Sequence, residues 1–156
     1  MKKTFFASLL ALLLVTPLAR AAEVDPAAIE IAKIAVLDLI NAQRATLGLN
    51  PLEREFALET EIQTHVDDMA EGRVAFGHLG FDGRCDRVRE TIGNARSCGE
   101  IVAWGQKTPE RVHLAWTNSP GHYARMTDVR YTHAGLGYFV NEAGRPYWGI
   151  LFIRHQ

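Results

Sequence analysis

Trp116-Thr117-Asn118-Ser119-Pro120-Gly121-His122 is the stretch whose reading decides the fold. It follows a short amphipathic segment and precedes the last two strand-like runs. Proline lacks an N–H and glycine accepts left-handed dihedrals, so Pro120-Gly121 is expected to force the chain out of its helix. That turn would present His122 at a helix lip, aimed off the core. Two other polar residues stand in comparable glycine-flanked settings: His78 in Phe76-Gly77-His78-Leu79-Gly80, and Glu100 in Cys98-Gly99-Glu100-Ile101. The expectation is that His78, Glu100 and His122 meet in one cleft.

Downstream of the turn, His133 to Val140 reads as a strand, Asn141-Glu142-Ala143-Gly144 as a hairpin loop and Arg145 to Ile153 as the returning strand. Alternation sends Trp148, Ile150 and Phe152 to one side and Tyr147, Leu151 and Ile153 to the other. Both sides are apolar, so the sheet should be covered on both faces. Upstream, Thr108-Pro109-Glu110 caps a helix whose Val112, Ala115 and Trp116 share one face. Glu100 to Gly105 reads as a short buried strand.

Nearer the start, Asp25 and Pro26 open a first, mostly buried helix, which runs through Ile29–Leu47 and stops at Gly48. Glu30, Lys33, Asn41 and Arg44 supply its narrow polar surface. A second helix spans about Arg54 to Glu71, with Leu58, Ile62, His65, Val66 and Met69 on its apolar face and Gly72 at its end. The region from Val74 to Gly99 is glycine-rich and aperiodic, with a short helix expected around Cys85 to Thr91. Two helices, a helix-rich middle and a C-terminal hairpin give an α+β layer fold.

The chain opens Met1-Lys2-Lys3, continues apolar from Phe5 to Val15 and reaches Ala19-Arg20-Ala21. A basic start, a short apolar core and an Ala-x-Ala site read as a secretory signal, residues 1–21, cut after Ala21. The run is short for a spanning helix, although a retained anchor is the rival reading. The domain would then be residues 22–156, periplasmic or extracellular, with no transmembrane segment and no oligomerisation signature, hence an expected monomer. Lys2, Lys3 and Arg20 fall in the leader, so 14 of the 17 basic residues remain against 18 acids, a net charge of −4. A mildly acidic domain argues against nucleic acid as a partner. Export places Cys85 and Cys98 in an oxidising space, where a disulfide is the leading reading over a pair of metal thiolates.

The order of motifs resembles the CAP superfamily of cysteine-rich secretory proteins, antigen 5 and plant pathogenesis-related 1 proteins, in its short bacterial single-domain form. The likeness rests on Asn41-Ala42-Gln43-Arg44 with Gly48-Leu49-Asn50-Pro51-Leu52, on His65-Val66-Asp67-Asp68-Met69-Ala70, and on Phe76-Gly77-His78. It continues through Gly99-Glu100-Ile101-Val102-Ala103-Trp104-Gly105, the Trp116–His122 stretch, His133-Ala134-Gly135-Leu136-Gly137-Tyr138 and Tyr147-Trp148-Gly149-Ile150-Leu151-Phe152. The resemblance implies an α-β-α sandwich with a three-stranded antiparallel sheet between helical layers. It also implies a cleft lined by two histidines and two acids that holds a divalent metal in some members. His78, Glu100 and His122 match three of these; Ser119 stands where larger relatives carry the fourth, a glutamate.

Two imidazoles and a carboxylate suit a catalytic-type zinc site with an open position. The rival reading is a hydrogen-bonded network in which Glu100 holds a histidine. Ser119 invites a serine nucleophile with His122 as base and Glu100 as orienter, against a serine that caps or turns the backbone. His65 reads as a satisfied core histidine, His113 as solvated, His133 as within reach of the cleft rim and His155 as a mobile terminal residue. Trp104, Trp116 and Trp148 read as core and cleft wall. Two functions follow. The first is an exported binding or interaction module with a His78, Glu100, Ser119 and His122 cleft for a small ligand, lipid, protein or divalent metal. The second is a metal-assisted esterase or protease with His78, Glu100 and His122 around zinc.

Overall fold

A computed structural model describes residues 25–155. The leader expected at 1–21 lies outside the described residues. Asp25 accepts a hydrogen bond from the Ala27 amide at 3.0 Å and Pro26 fills the first turn, so α1 (Pro26–Thr46) begins where its unpaired amides are met. Gly48, at φ +69°, closes it. The polar surface expected on α1 is narrower still, because Lys33 and Arg44 are buried. Arg44 donates to the carbonyls of Asn50, Met126, Asp128 and Tyr131 at 2.8–3.2 Å, so its guanidinium is spent on loop backbone.

Asn41 pairs with both backbone groups of Leu52, at 3.0 and 2.8 Å, and holds the following residues extended as β1 (Glu53–Arg54). Helix α2 (Phe56–Ala70) buries Leu58, Ile62, His65, Val66 and Met69, the face its periodicity predicts. The region expected to be largely irregular is more ordered than its glycines suggest. Helix α3 (Phe81–Ile92) is longer than the expected 85–91 segment, because Gly83 sits in its first turn, where no earlier carbonyl depends on it. Strand β2 (Arg96–Trp104) also begins four residues before Glu100. The expected Cys85–Cys98 disulfide is present and staples α3 to β2.

Helix α4 (Pro109–Thr117) starts at Thr108, whose side chain accepts from Arg111 N. Beyond it the chain does not leave helical structure as expected. Pro120 opens α5 (Pro120–Met126), since a missing N–H costs nothing in a first turn.

Strands β3 (His133–Val140) and β4 (Pro146–Arg154) form the expected hairpin, and β4 pairs antiparallel with β2 on its other side. The sheet order is β1-β3-β4-β2. The three antiparallel strands are those expected; the fourth, two-residue β1, runs parallel to β3 at the far edge. Trp148, Ile150 and Phe152 join a core with α1, α4 and α5, while Tyr147, Leu151 and Ile153 join a second core with α2 and α3. The molecule is thus an α-β-α sandwich. Gly135, Gly137 and Gly149 let α2 lie directly on the sheet: a Cβ on Gly135 would stand 2.2 Å from the Glu59 nitrogen. Strand β2 is left as a sheet edge, with α3 beside one face and α5 beside the other.

Candidate functional site

A cleft of about 340 Å³ opens at that edge. Its lining includes His78, Glu100, Ser119 and His122, together with Phe81, Ile101, Gly121 and Arg125. Alternation along β2 explains the floor: Ile101 turns toward α4 and α5, and Glu100 toward α3. One wall is the segment before α3 and the other is the start of α5. The four sequence-predicted cleft residues are therefore brought together.

His78 and Glu100 are held by identifiable local chemistry. His65 is buried on α2, as expected of a core histidine. Its Nε2 lies 2.8 Å from the Gly77 carbonyl, which pins the loop carrying His78. Burial lowers the His65 pKa. The His78 ring turns Nδ1 to Glu100 Oε1 at 2.8 Å, and its side chain is 52% exposed. Glu100 has a side chain only 1% exposed, and its carboxylate meets the Arg84 guanidinium through Nε to Oε2 at 2.8 Å and Nη2 to Oε1 at 2.9 Å. Arg84 also donates Nη1 to the Leu79 carbonyl at 2.8 Å. A carboxylate only accepts, so His78 Nδ1 carries the proton and Nε2 is the free position of the neutral ring.

The opposite wall is less tied down. Ser119 occupies the N-cap position of α5, where the chain turns from α4 into α5, and its side chain makes no capping bond. His122 is half-buried, and both burial and the neighbouring His78 lower its pKa. It is therefore a neutral imidazole at pH 7.

The remaining candidates fall elsewhere. His113 is half-buried against Gln43 at 3.0 Å rather than solvated. His133 lies beside β1, across the sheet from the cleft, and its ring contacts that of His155. His155 is not free either: its amide donates to Thr132 Oγ1 at 2.8 Å. Trp116 and Trp148 are core. Trp104 is half-exposed beyond the cleft, near Phe76 and Tyr147 and under the Arg145 guanidinium at 4.2 Å. The apolar part of the cleft is Phe81 and Ile101 instead of a tryptophan wall.

Two cations of this region escaped the sequence reading. Arg125 lines the cleft from α5. Arg84 had a usable signal: it precedes Cys85, and Glu100 follows Cys98 by two residues, so a disulfide between those cysteines carries the arginine to the acid.

The zinc set expected from His78, Glu100 and His122 does not fit this arrangement. The Glu100 oxygens are already engaged by Arg84 and His78, and a divalent cation would have to approach beside a buried guanidinium. Among the described residues no three His, Cys, Asp or Glu side chains are arranged to hold a metal ion. The serine-nucleophile alternative also lacks its orienter, since Glu100 pairs with His78 and not with His122.

The cysteine-rich secretory protein family, CAP, matches residues 37–152. The uncharacterized protein YkwD of Bacillus subtilis is 34% identical over 105 residues, 66% of this chain and 40% of that protein. The uncharacterized membrane protein YlbC of the same organism is 30% identical over 121 residues, 76% of this chain and 33% of that one. The chain thus spans less than half the length of these curated relatives. Among solved structures, an outer surface protein from Borrelia burgdorferi superposes with a TM-score of 0.70 at 24% identity, over 81% of this chain and 94% of that one. An extracellular SCP-domain protein from Bacillus anthracis superposes with a TM-score of 0.70 at 21% identity, over 85% and 44%. At these identities the two structures speak for the fold.

Proposed function

The chain belongs to the cysteine-rich secretory protein (CAP) family, and on that premise we propose that it is an exported binding module whose cleft at His78, Glu100, Ser119 and His122 receives a small organic ligand. The observation that carries this reading is the convergence of His78, Glu100 and His122, each 22 positions from the next, on one hollow at the β2 edge. Nothing local in the chain enforces that meeting. Export is supported by the secretory pattern of residues 1–21, by the disulfide, and by the outer-surface and extracellular relatives of the same fold. On this reading the domain occupies residues 22–156.

Binding is favoured over hydrolysis because the acid is spent on Arg84 and His78, and because Ser119 has no imidazole oriented behind it by that acid. The polar groups that line the cleft beside this pairing are the Ser119 hydroxyl, the His122 ring, His78 Nε2 and the Arg125 guanidinium, above the apolar Phe81 and Ile101. The test is a thermal-shift screen of exported protein against small metabolites and lipids, beside a broad ester and peptide panel. The reading expects ligand-dependent shifts that disappear in His78→Ala and His122→Ala, with no turnover. Turnover that disappears in the same variants would replace it with hydrolysis.

A further inference from the structure

Glu100 is the residue on which a metal reading of this cleft depends, and the question is what balances its buried charge. We propose that Arg84 is a built-in cation, standing where a divalent ion would sit against Glu100 and holding His78 with its Nδ1 proton on the acid and a bare Nε2 toward the cleft. The inference rests on the cleft described above and can fail separately from it.

Three features carry it. The Arg84 and Glu100 side chains are 6% and 1% exposed, and their planar groups meet through both oxygens. A fork of this kind fixes direction as well as charge. Oε1 also accepts from His78 and the acid's side chain is 1% exposed, so an ion would have to displace one of these partners to reach it. Swinging Glu100 toward an ion would strand the guanidinium, whose only other hydrogen bond among the described residues is to the Leu79 carbonyl. The disulfide ties the two partners' neighbours, Cys85 and Cys98, so α3 and β2 do not separate to relieve the pairing.

Arg84 is a positioning residue: it acts on the cleft through Glu100 and His78. In the neutral ring, what it leaves on the cleft side is a hydrogen-bond acceptor, His78 Nε2. The ligand chemistry that this atom recognises is a hydroxyl or amide N–H on an organic molecule.

The experiment is calorimetric titration of zinc chloride into the untagged, full exported chain. Wild type is expected to show no saturable binding that depends on His78. Arg84→Gln, which keeps two N–H donors but removes the charge, is expected to gain one zinc site at least tenfold tighter than any in wild type, and to lose it when His78→Ala is added. Arg84→Lys retains the charge and is expected to gain none. Stoichiometric zinc binding by wild type that His78→Ala or Glu100→Gln removes would overturn the proposal, and that comparison stands even if Arg84→Gln does not fold. A folded Arg84→Gln with no gained site would overturn it as well. Neither result depends on whether an organic ligand is found, so failure of the binding-module reading is distinguishable.

Discussion

Arg84 and Glu100 face each other as a buried fork, with Nε 2.8 Å from Oε2 and Nη2 2.9 Å from Oε1. The pair joins α3 to β2 at the floor of the cleft, and His78 is oriented through it. Burying both charges is costly, so the consequences of breaking the pair differ from those of replacing it.

Removing one partner leaves the other charged and dry. Arg84→Ala is expected to destabilise the domain by about 3–5 kcal/mol, whereas an Arg84→Met, Glu100→Leu double variant recovers most of that loss. Urea unfolding of both proteins measures the difference. A double variant no more stable than the single one would contradict the account.

The Cys85–Cys98 disulfide closes a short loop whose two ends adjoin the same pair. Replacing both cysteines by alanine is expected to cost about 3 kcal/mol, the chain-entropy value for a loop of about 15 residues. Chemical denaturation with and without reductant checks this, and the alanine variant should be insensitive to reductant.

Burial lowers the pKa of His65, His113 and His122. Between the unfolded value of about 6.5 and those lower folded values, the unfolded chain binds more protons than the native one. Stability is therefore expected to fall as pH is lowered from about 7 toward 5. His65→Gln keeps a donor for the Gly77 carbonyl and should flatten part of that slope. Midpoints of urea unfolding across this range give the comparison.

Gly135 lies under the first turns of α2, with Leu58 Cβ 2.4 Å from where its own Cβ would stand. Gly135→Ala is expected to cost at least about 1–3 kcal/mol, because helix backbone and not a flexible tip must give way. Gly121→Ala, at a cleft position with open space around it, is the matched control. Thermal unfolding of the two separates close packing from a general glycine effect.

Much of the architecture is legible in the order of residues, and the exceptions share a cause. Alternation in β4 assigns Trp148, Ile150 and Phe152 to one core and Leu151 and Ile153 to the other, because period two leaves no choice once both faces are apolar. Spacing along α2 identifies its buried face for the same reason. What stays hidden depends on partners distant in sequence. Arg44 reads as surface on a helical wheel, yet three loop carbonyls and the last carbonyl of α5 draw it inside. Pro120 ends one helix and also starts another, and only the direction of the chain afterwards distinguishes the two. His78 and Glu100 are named by their glycine-flanked settings, but Arg84, one of four arginines between them in sequence, is ordinary by composition and becomes conspicuous only through its neighbour Cys85.

The measurement that bears most directly on the account is the ¹⁵N spectrum of the His78 ring, followed across pH in the metal-free protein. The account predicts that neutral His78 is the Nδ1–H tautomer, with an unprotonated Nε2, and that this preference weakens in Glu100→Gln. A neutral ring carrying its proton on Nε2 would contradict it, because His78 would then not be donating to the acid that Arg84 holds.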